Sequence, residues 1–196
     1  HKHIIIMKKS INNKAVIAPL PVLIVCTYDE NGIPDAMNAA WGGQCGYTNI
    51  ALNLSSTHKT TRNIRSRGAF TVSLGTVDTM KLSDYFGIVS GNKNPDKVAD
   101  SGVTVVKSEN VDAPIIEDYP LTMECRVIAI NEELGETRVV GEIINTIVDD
   151  SIVDEKGAVD YNKLQPISFD SETNSYRIIG EKVGKAFYDG KDYPKK

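Results

Sequence analysis

Residues 20–28, LPVLIVCTY, are apolar almost throughout and rich in β-branched side chains, which predicts a buried strand. Asp29-Glu30-Asn31-Gly32 follows, and Asn-Gly between apolar runs is a strong hairpin signal. The return strand is predicted over 33–41, IPDAMNAAW, and is broken by Gly42-Gly43. A further strand, TNIALNL, spans 48–54, with Ile50, Leu52 and Leu54 in alternation. Residues 57–67 then read as a helix that Ser56 or Thr57 can cap and Gly68 ends, with Arg65 and Arg67 complementing its C-terminal dipole. An alternating strand, AFTVSLG, is predicted over 69–75.

Farther along, Asp78 is expected to cap a short helix running to Phe86, followed by a loop over 87–91 and a helical turn over 95–99. The clearest alternation is 121–130, LTMECRVIAI, where Leu121, Met123, Cys125, Val127 and Ala129 would share one face. A turn at 133–136 leads into a long return strand, TRVVGEIINTIV, over 137–148. Residues 151–163 are polar with a break at Gly157, and 166–196 reads as short strands plus an arm. Strands dominate and helices are inserted singly, without a βαβα rhythm. An antiparallel, Greek-key β-barrel with short helical insertions is therefore predicted rather than a doubly wound sheet.

The chain has 196 residues, enough for one domain with a sizeable core. Met7-Lys8-Lys9 reads as a native start, so residues 1–6 are taken as an added leader and 7–196 as a single domain with a C-terminal arm. On that reading His58 is the one native histidine, which excludes a multi-histidine metal site. The net charge of -4 argues against a dedicated nucleic-acid binder. No apolar run approaches the roughly 20 residues a membrane-spanning helix needs. The three cysteines, Cys26, Cys45 and Cys125, are dispersed in apolar or alternating runs. They read as small buried hydrophobes in a reducing, cytoplasmic setting.

One segment departs from the acidic balance. Residues 55–62, SSTHKTTR, hold five hydroxyls, two basic residues and the histidine, with no acid. They lie where a strand passes into a helix start, whose free N–H groups and positive dipole end favour anions. Ser55, Ser56, Thr57, Thr60 and Thr61 can donate to phosphate oxygens, and Lys59 or Arg62 can supply charge. The residues alone leave two readings open: a phosphate site, or a solvated helix start capped by Ser and Thr. Upstream, Trp41 followed by Gly42-Gly43 is a turn beside a core aromatic, or a place where a flat ligand approaches the backbone; the core reading is favoured. No GxSxG and no GxGxxG occurs. Chemistry here would fall to a bound cofactor.

Taken in order, these pieces resemble the flavin reductase-like, FMN-binding split-barrel family, and within it the flavoredoxin group. The resemblance runs from Pro19 to Gly184. It rests on PLPVLIVCTYDENGIPDAMNAAW, ALNLSSTHKTTRNIRSRGAFTVSL, SGNKNPDKVADSG, APIIEDYPLTMECRVIAI, VVGEIINTIVDDSIVDEKGAVDYNKLQPI and SYRIIGEKVGKAF. It implies a six-stranded split barrel that dimerises with FMN at the interface. It implies that Asn38, Ala39, Ala40 and Trp41 lie along the flavin ring system. Ser55, Ser56, Thr57, Lys59 and Thr60 fall where the family holds the ribityl chain and phosphate, with Lys59 favoured for the charge. Asn53 on the preceding strand, and Ser90, Gly91 and Lys97 in a later segment, complete the implied site. The activity implied is NAD(P)H-dependent flavin reduction, with electrons passed to an acceptor protein or to free flavin. A non-catalytic FMN carrier served by another reductase, and a cofactor-free barrel, are the alternatives.

Overall fold

The computed structural model describes residues 4–194; the first three residues of the expected leader and the last two of the arm lie outside the described residues. The chain opens with β1 (Leu20–Pro21) and β2 (Leu23–Tyr28), then β3 (Pro34–Ala39), β4 (Gly42–Gln44) and β5 (Asn49–Leu54). Helix α1 (Lys59–Arg67) precedes β6 (Ala69–Leu74), and α2 (Met80–Ile88) and α3 (Lys97–Asp100) follow it. Then come β7 (Val105–Lys107), β8 (Pro114–Ile116), and the long hairpin of β9 (Leu121–Glu133) and β10 (Glu136–Val148). The chain closes with α4 (Tyr161–Leu164), β11 (Ile167–Asp170) and β12 (Ser175–Ile178). Among the described residues no helix is long and apolar enough to cross a membrane.

Seven strands form one antiparallel sheet in the order β3-β2-β6-β9-β10-β5-β4. The β2–β3 hairpin sits at one edge and the β4–β5 hairpin at the other. The chain returns to β6 beside β2, and the β9–β10 hairpin fills the space between β6 and β5. Strands from both ends of the sheet order feed one core: Leu23 and Val25 of β2, Ala39 of β3, Leu52 and Leu54 of β5, Phe70 and Val72 of β6, Cys125 of β9 and Val139 of β10. Strands far apart in sheet order share that cluster because the sheet curls around it, and Ile64 of α1 packs into the same cluster. The antiparallel barrel expected from the strand pattern is thus present, with seven strands rather than six because Gly42-Gly43, read as a break, belong to the short edge strand β4. A Cβ on Gly42 would stand 2.9 Å from Leu52 Cδ2 and 3.1 Å from Leu23 Cδ1. Its missing side chain serves the core, not a ligand.

Strand β2 is apolar on both phases because both its faces are buried. Leu23 and Val25 point into the barrel. Ile24 and Cys26 face a second cluster with Ala36, Phe86, Val98, Ile116, Tyr119 and Ile167. The predicted hairpin turn is present: Asp29 Oδ1 accepts from the N–H groups of Asn31 (2.8 Å) and Ile33 (2.9 Å), and Gly32 adopts φ +75°. Asp29 is therefore the shaping residue of that turn.

The face predicted for β9 is corrected beyond Val127. Val127 pairs with Gly141 and Ala129 with Val140, so Ile128 is an extra residue. This bulge reverses the alternation: Ile130, opposite Val139, packs on the barrel core in place of Ala129. A second irregularity leaves Ile144 without a paired partner and sets Asn145 opposite Glu124. Glu124 is wholly buried and accepts from Asn145 Nδ2 (2.8 Å), Asn110 Nδ2 (3.0 Å) and Ser108 Oγ. A buried carboxylate so satisfied ties the 108–110 loop to the sheet.

The helix boundaries are also adjusted. Helix α1 starts at Lys59 after His58, so Ser56 and Thr57 precede its N-cap; Gly68, at φ +67°, closes it as predicted by donating to Ile64 O at 2.8 Å. Helix α2 is entered through Thr76 and Thr79, which hydrogen-bond to each other's hydroxyl and backbone, rather than through Asp78. It runs on through Gly87 to Ile88, so the expected loop begins later. The tail does form short strands: β11 pairs with β1 on one side and β12 on the other, and residues 179–194 are exposed.

Candidate functional site

The hydroxyl-rich segment forms a tight turn between β5 and α1. Ser55 O accepts from His58 N (3.2 Å) and from the Thr61 hydroxyl (2.7 Å), while Ser55 and Thr57 hydroxyls pair at 2.8 Å. Thr57 O accepts from Asn92 Nδ2 (3.1 Å) and Arg62 Nη1 (3.3 Å), and Arg62 Nη2 donates to Asn92 Oδ1 at 2.5 Å. Arg62 therefore clamps the 55–58 turn to the 90–92 loop.

Between these two segments and β3 lies a cleft of about 200 Å³. It brings together Asn38, Lys59, Thr60, Ser90 and Lys97 from the predicted set, and adds Asp35, His58 and Asn92. Asn38 is steadied by its amide donating to Ser83 O of α2 at 3.2 Å. The glycines are part of the fit. A Cβ on Gly87 would stand 3.2 Å from Asn38 Cβ, and one on Gly91 would collide with Asp35 Oδ1 and lie 3.2 Å from Lys59 Cδ.

The wall of the cleft holds buried charged side chains. Lys59 is 8% exposed and pairs with Asp29 Oδ2 at 3.1 Å, so its charge is already balanced inside the protein. Burial tends to raise the Asp29 carboxyl, but hydrogen bonds from Ile33 N, Lys59 and Asn31 N bring it below the usual carboxylate range. Asp35 is 2% exposed; its Oδ2 accepts from the Thr60 hydroxyl at 3.1 Å, and Oδ1 has no hydrogen-bond partner among the described residues. Burial pushes its carboxyl up, against the lowering effect of Lys97, Thr60 and Lys59. Lys97 is also 2% exposed, and its ammonium donates to Val89 O (2.7 Å) and Phe86 O (3.2 Å) at the C-terminal end of α2. Burial pushes it below the usual lysine range.

The other predicted residues lie outside this cleft. Ser55, Ser56 and Thr57 border it in the preceding turn. Ala39 is in the barrel core, and Asn53 is exposed on β5, its N–H donating to Trp41 O at 2.8 Å. Trp41 is 55% exposed in the bend between β3 and β4, which corrects the favoured core reading. Cys45 is exposed, unlike Cys26 and Cys125, because it lies just past the short strand β4, outside the packed barrel. Ala40 lines a second opening of about 220 Å³ that shares Asn38, Gly87 and Ile88 with the first. There Tyr176 donates its hydroxyl proton to Asp84 Oδ1 at 2.6 Å. Burial and Asp84 raise the Tyr176 hydroxyl to about 12. Of the cleft residues that the sequence reading missed, Asp35 carried the clearest signal. It occupies the phase of β3 that sends Met37 and Ala39 to the core, an odd place for an acid.

A family model described as "Flavin reductase like domain" matches residues 17–166. Flavoredoxin of Desulfovibrio vulgaris (Miyazaki F) is similar in structure, with TM-score 0.89 and 38% identity, covering 94% of this chain and 100% of that one. Flavoredoxin from Methanosarcina acetivorans gives TM-score 0.87 and 27% identity over 95% of this chain and 99% of that one. An uncharacterised protein of Aeropyrum pernix is 26% identical over 129 residues, 61% of this chain and 49% of that protein. The match thus spans about half the length of that relative.

Proposed function

The chain belongs to the flavin reductase-like domain family, and on that premise we propose that it binds FMN in the cleft between β3, the 55–60 turn and the 86–92 segment. NAD(P)H would be the electron donor, and an acceptor protein or free flavin the recipient. The observation that carries this reading is the convergence of Asn38, Thr60, Ser90 and Lys97, from four separate segments, on one cleft beside the hydroxyl-rich turn.

The residues present fit such a cofactor. Strand β3 is the sheet's edge and, among the described residues, pairs only with β2, so one row of its backbone groups faces away from the sheet and suits a heteroaromatic edge. Gly87 and Gly91 leave the wall without side chains where a Cβ would fill it. The hydroxyls of Ser55, Ser56 and Thr57 and the N–H groups opening α1 suit a phosphate. Because Lys59 is matched by Asp29, this grip rests on hydrogen bonding more than on Lys59's charge. Bound FMN would supply hydride and electron chemistry; the protein's part is to orient it, keep water from one face and set the local charge. Exposed Trp41 and Ile88 beside the two openings suit a second copy of the chain closing over the site as a homodimer.

The test is spectroscopic. Purified protein titrated with FMN is expected to show a perturbed visible flavin spectrum, and the bound flavin to bleach with NADH or NADPH under anaerobic conditions. An unperturbed spectrum rejects the site; bound flavin that stays oxidised with both donors leaves a carrier in place of a reductase. Ser55→Ala combined with Thr57→Ala is expected to weaken FMN about tenfold, which two modest hydrogen bonds supply, while the melting temperature holds because the paired hydroxyls are exposed. An unchanged dissociation constant removes the phosphate from this turn.

A further inference from the structure

Lys97 is a cation buried in the cleft wall without a carboxylate against it: none of the ion pairs among the described residues includes it. Its ammonium has two carbonyl acceptors and one N–H left over. In a dry setting an amine so placed tends to shed its proton. Asp35, in the same cleft, shows the complementary fault, a buried oxygen with no hydrogen-bond partner among the described residues. The two groups come from different elements, β3 and α3, and line the same cleft.

We propose that Asp35 is a positioning residue whose carboxylate is the internal counter-charge that holds Lys97 as a cation in the cleft wall. Thr60 fixes one carboxylate oxygen, and the bare backbone of Gly91 leaves room for the other. The ionisable groups facing Lys97 are Asp35 from β3 and, only as a thiolate, Cys26 from β2, both favouring its charge, and Lys59 from α1, opposing it. Burial raises Cys26 to about 12, so the thiol stays neutral near neutral pH and Asp35 carries the balance. Lys59 is itself matched by Asp29, which leaves Asp35 and Lys97 as the buried acid and base of that cleft with no ion-pair partner among the described residues. The ligand edge that Lys97 suits is anionic or rich in carbonyl oxygens. Its relevance to a flavin rests on the functional reading above; the pairing of the two groups does not.

The two charges must affect each other equally, which gives reciprocal tests on the protein without ligand. The titration of the Lys97 ammonium is followed by NMR in the wild type and in Asp35→Asn. Its midpoint is expected to fall by at least about one pH unit in the variant. In Lys97→Met the Asp35 carboxyl is expected to titrate at least about one unit higher than in the wild type, so either variant suffices if the other fails to fold. A midpoint that stays within about 0.3 units in the variant that folds overturns the proposal. FMN uptake by the wild type is a separate measurement: its failure removes the flavin reading and leaves these midpoints unchanged.

Discussion

Gly141→Ala is expected to destabilise the protein by about 3 kcal/mol, at the upper end of the range for overpacked cores. The added methyl group would sit 2.5 Å from Phe70 Cζ, 2.9 Å from Phe70 Cε1 and 3.2 Å from Cys125 Cβ. Phe70 is wholly buried among the barrel side chains and cannot swing out to solvent. The backbone at 141 is also constrained, since it pairs with Val127 next to the bulge. Relief must come from the other partner. Phe70→Leu costs stability alone, by leaving a gap, but it removes the atoms that clash. In the double variant the losses should therefore be markedly less than additive, by at least about 1 kcal/mol. Urea unfolding of the four proteins measures this; additive losses would mean that the ring and the glycine do not compete for one space.

That contact shows where the sequence stops being readable. Asn31-Gly32 announced a hairpin because the turn is set by local backbone preference. The β2 and β5 strands were legible because a run or alternation of apolar residues is a local pattern. Gly141 was not, since its need to be glycine comes from Phe70, 71 positions earlier in the chain by number. Ile128 looks like any strand residue, and only pairing with β10 marks it as the bulge that exchanges Ala129 for Ile130 on the core face. At the site, the ordered resemblance brought Asn38, Thr60, Ser90 and Lys97 into one group, and the cleft brings the same residues together. What it left unseen were the partners. Asp29 was read as part of a turn, and it is that, through Asn31 and Ile33; its second oxygen neutralises Lys59. Asp35 was not singled out, although it is an acid on an apolar phase, and its meaning came from Thr60, Gly91 and Lys97 around it.

Lys59→Met is expected to cost about 3 kcal/mol at neutral pH, near the lower bound for removing one partner of a buried ion pair. Methionine keeps most of the apolar stem that packs near Gly91, so the loss is that of the charge. Asp29, 2% exposed, would keep its two backbone donors but lose the cation at 3.1 Å. The pH dependence identifies the cause. In the wild type the Asp29 carboxyl lies below its ordinary value of about 3.9, so its stabilising contribution is fully present above that pH. It is lost as pH falls through the lowered folded-state value. Removing the ammonium raises that folded-state value, so the variant's Asp29 takes up its proton sooner. The stability gap between wild type and variant should therefore be widest near neutrality and close as pH is lowered through the carboxylate range. Asp29→Asn placed in the same chain should recover part of the loss, because no unpaired charge is then buried. Urea midpoints at neutral and acid pH test both statements. A gap that stays constant with pH would assign the loss to packing around Thr60 and Gly91 and not to the ion pair.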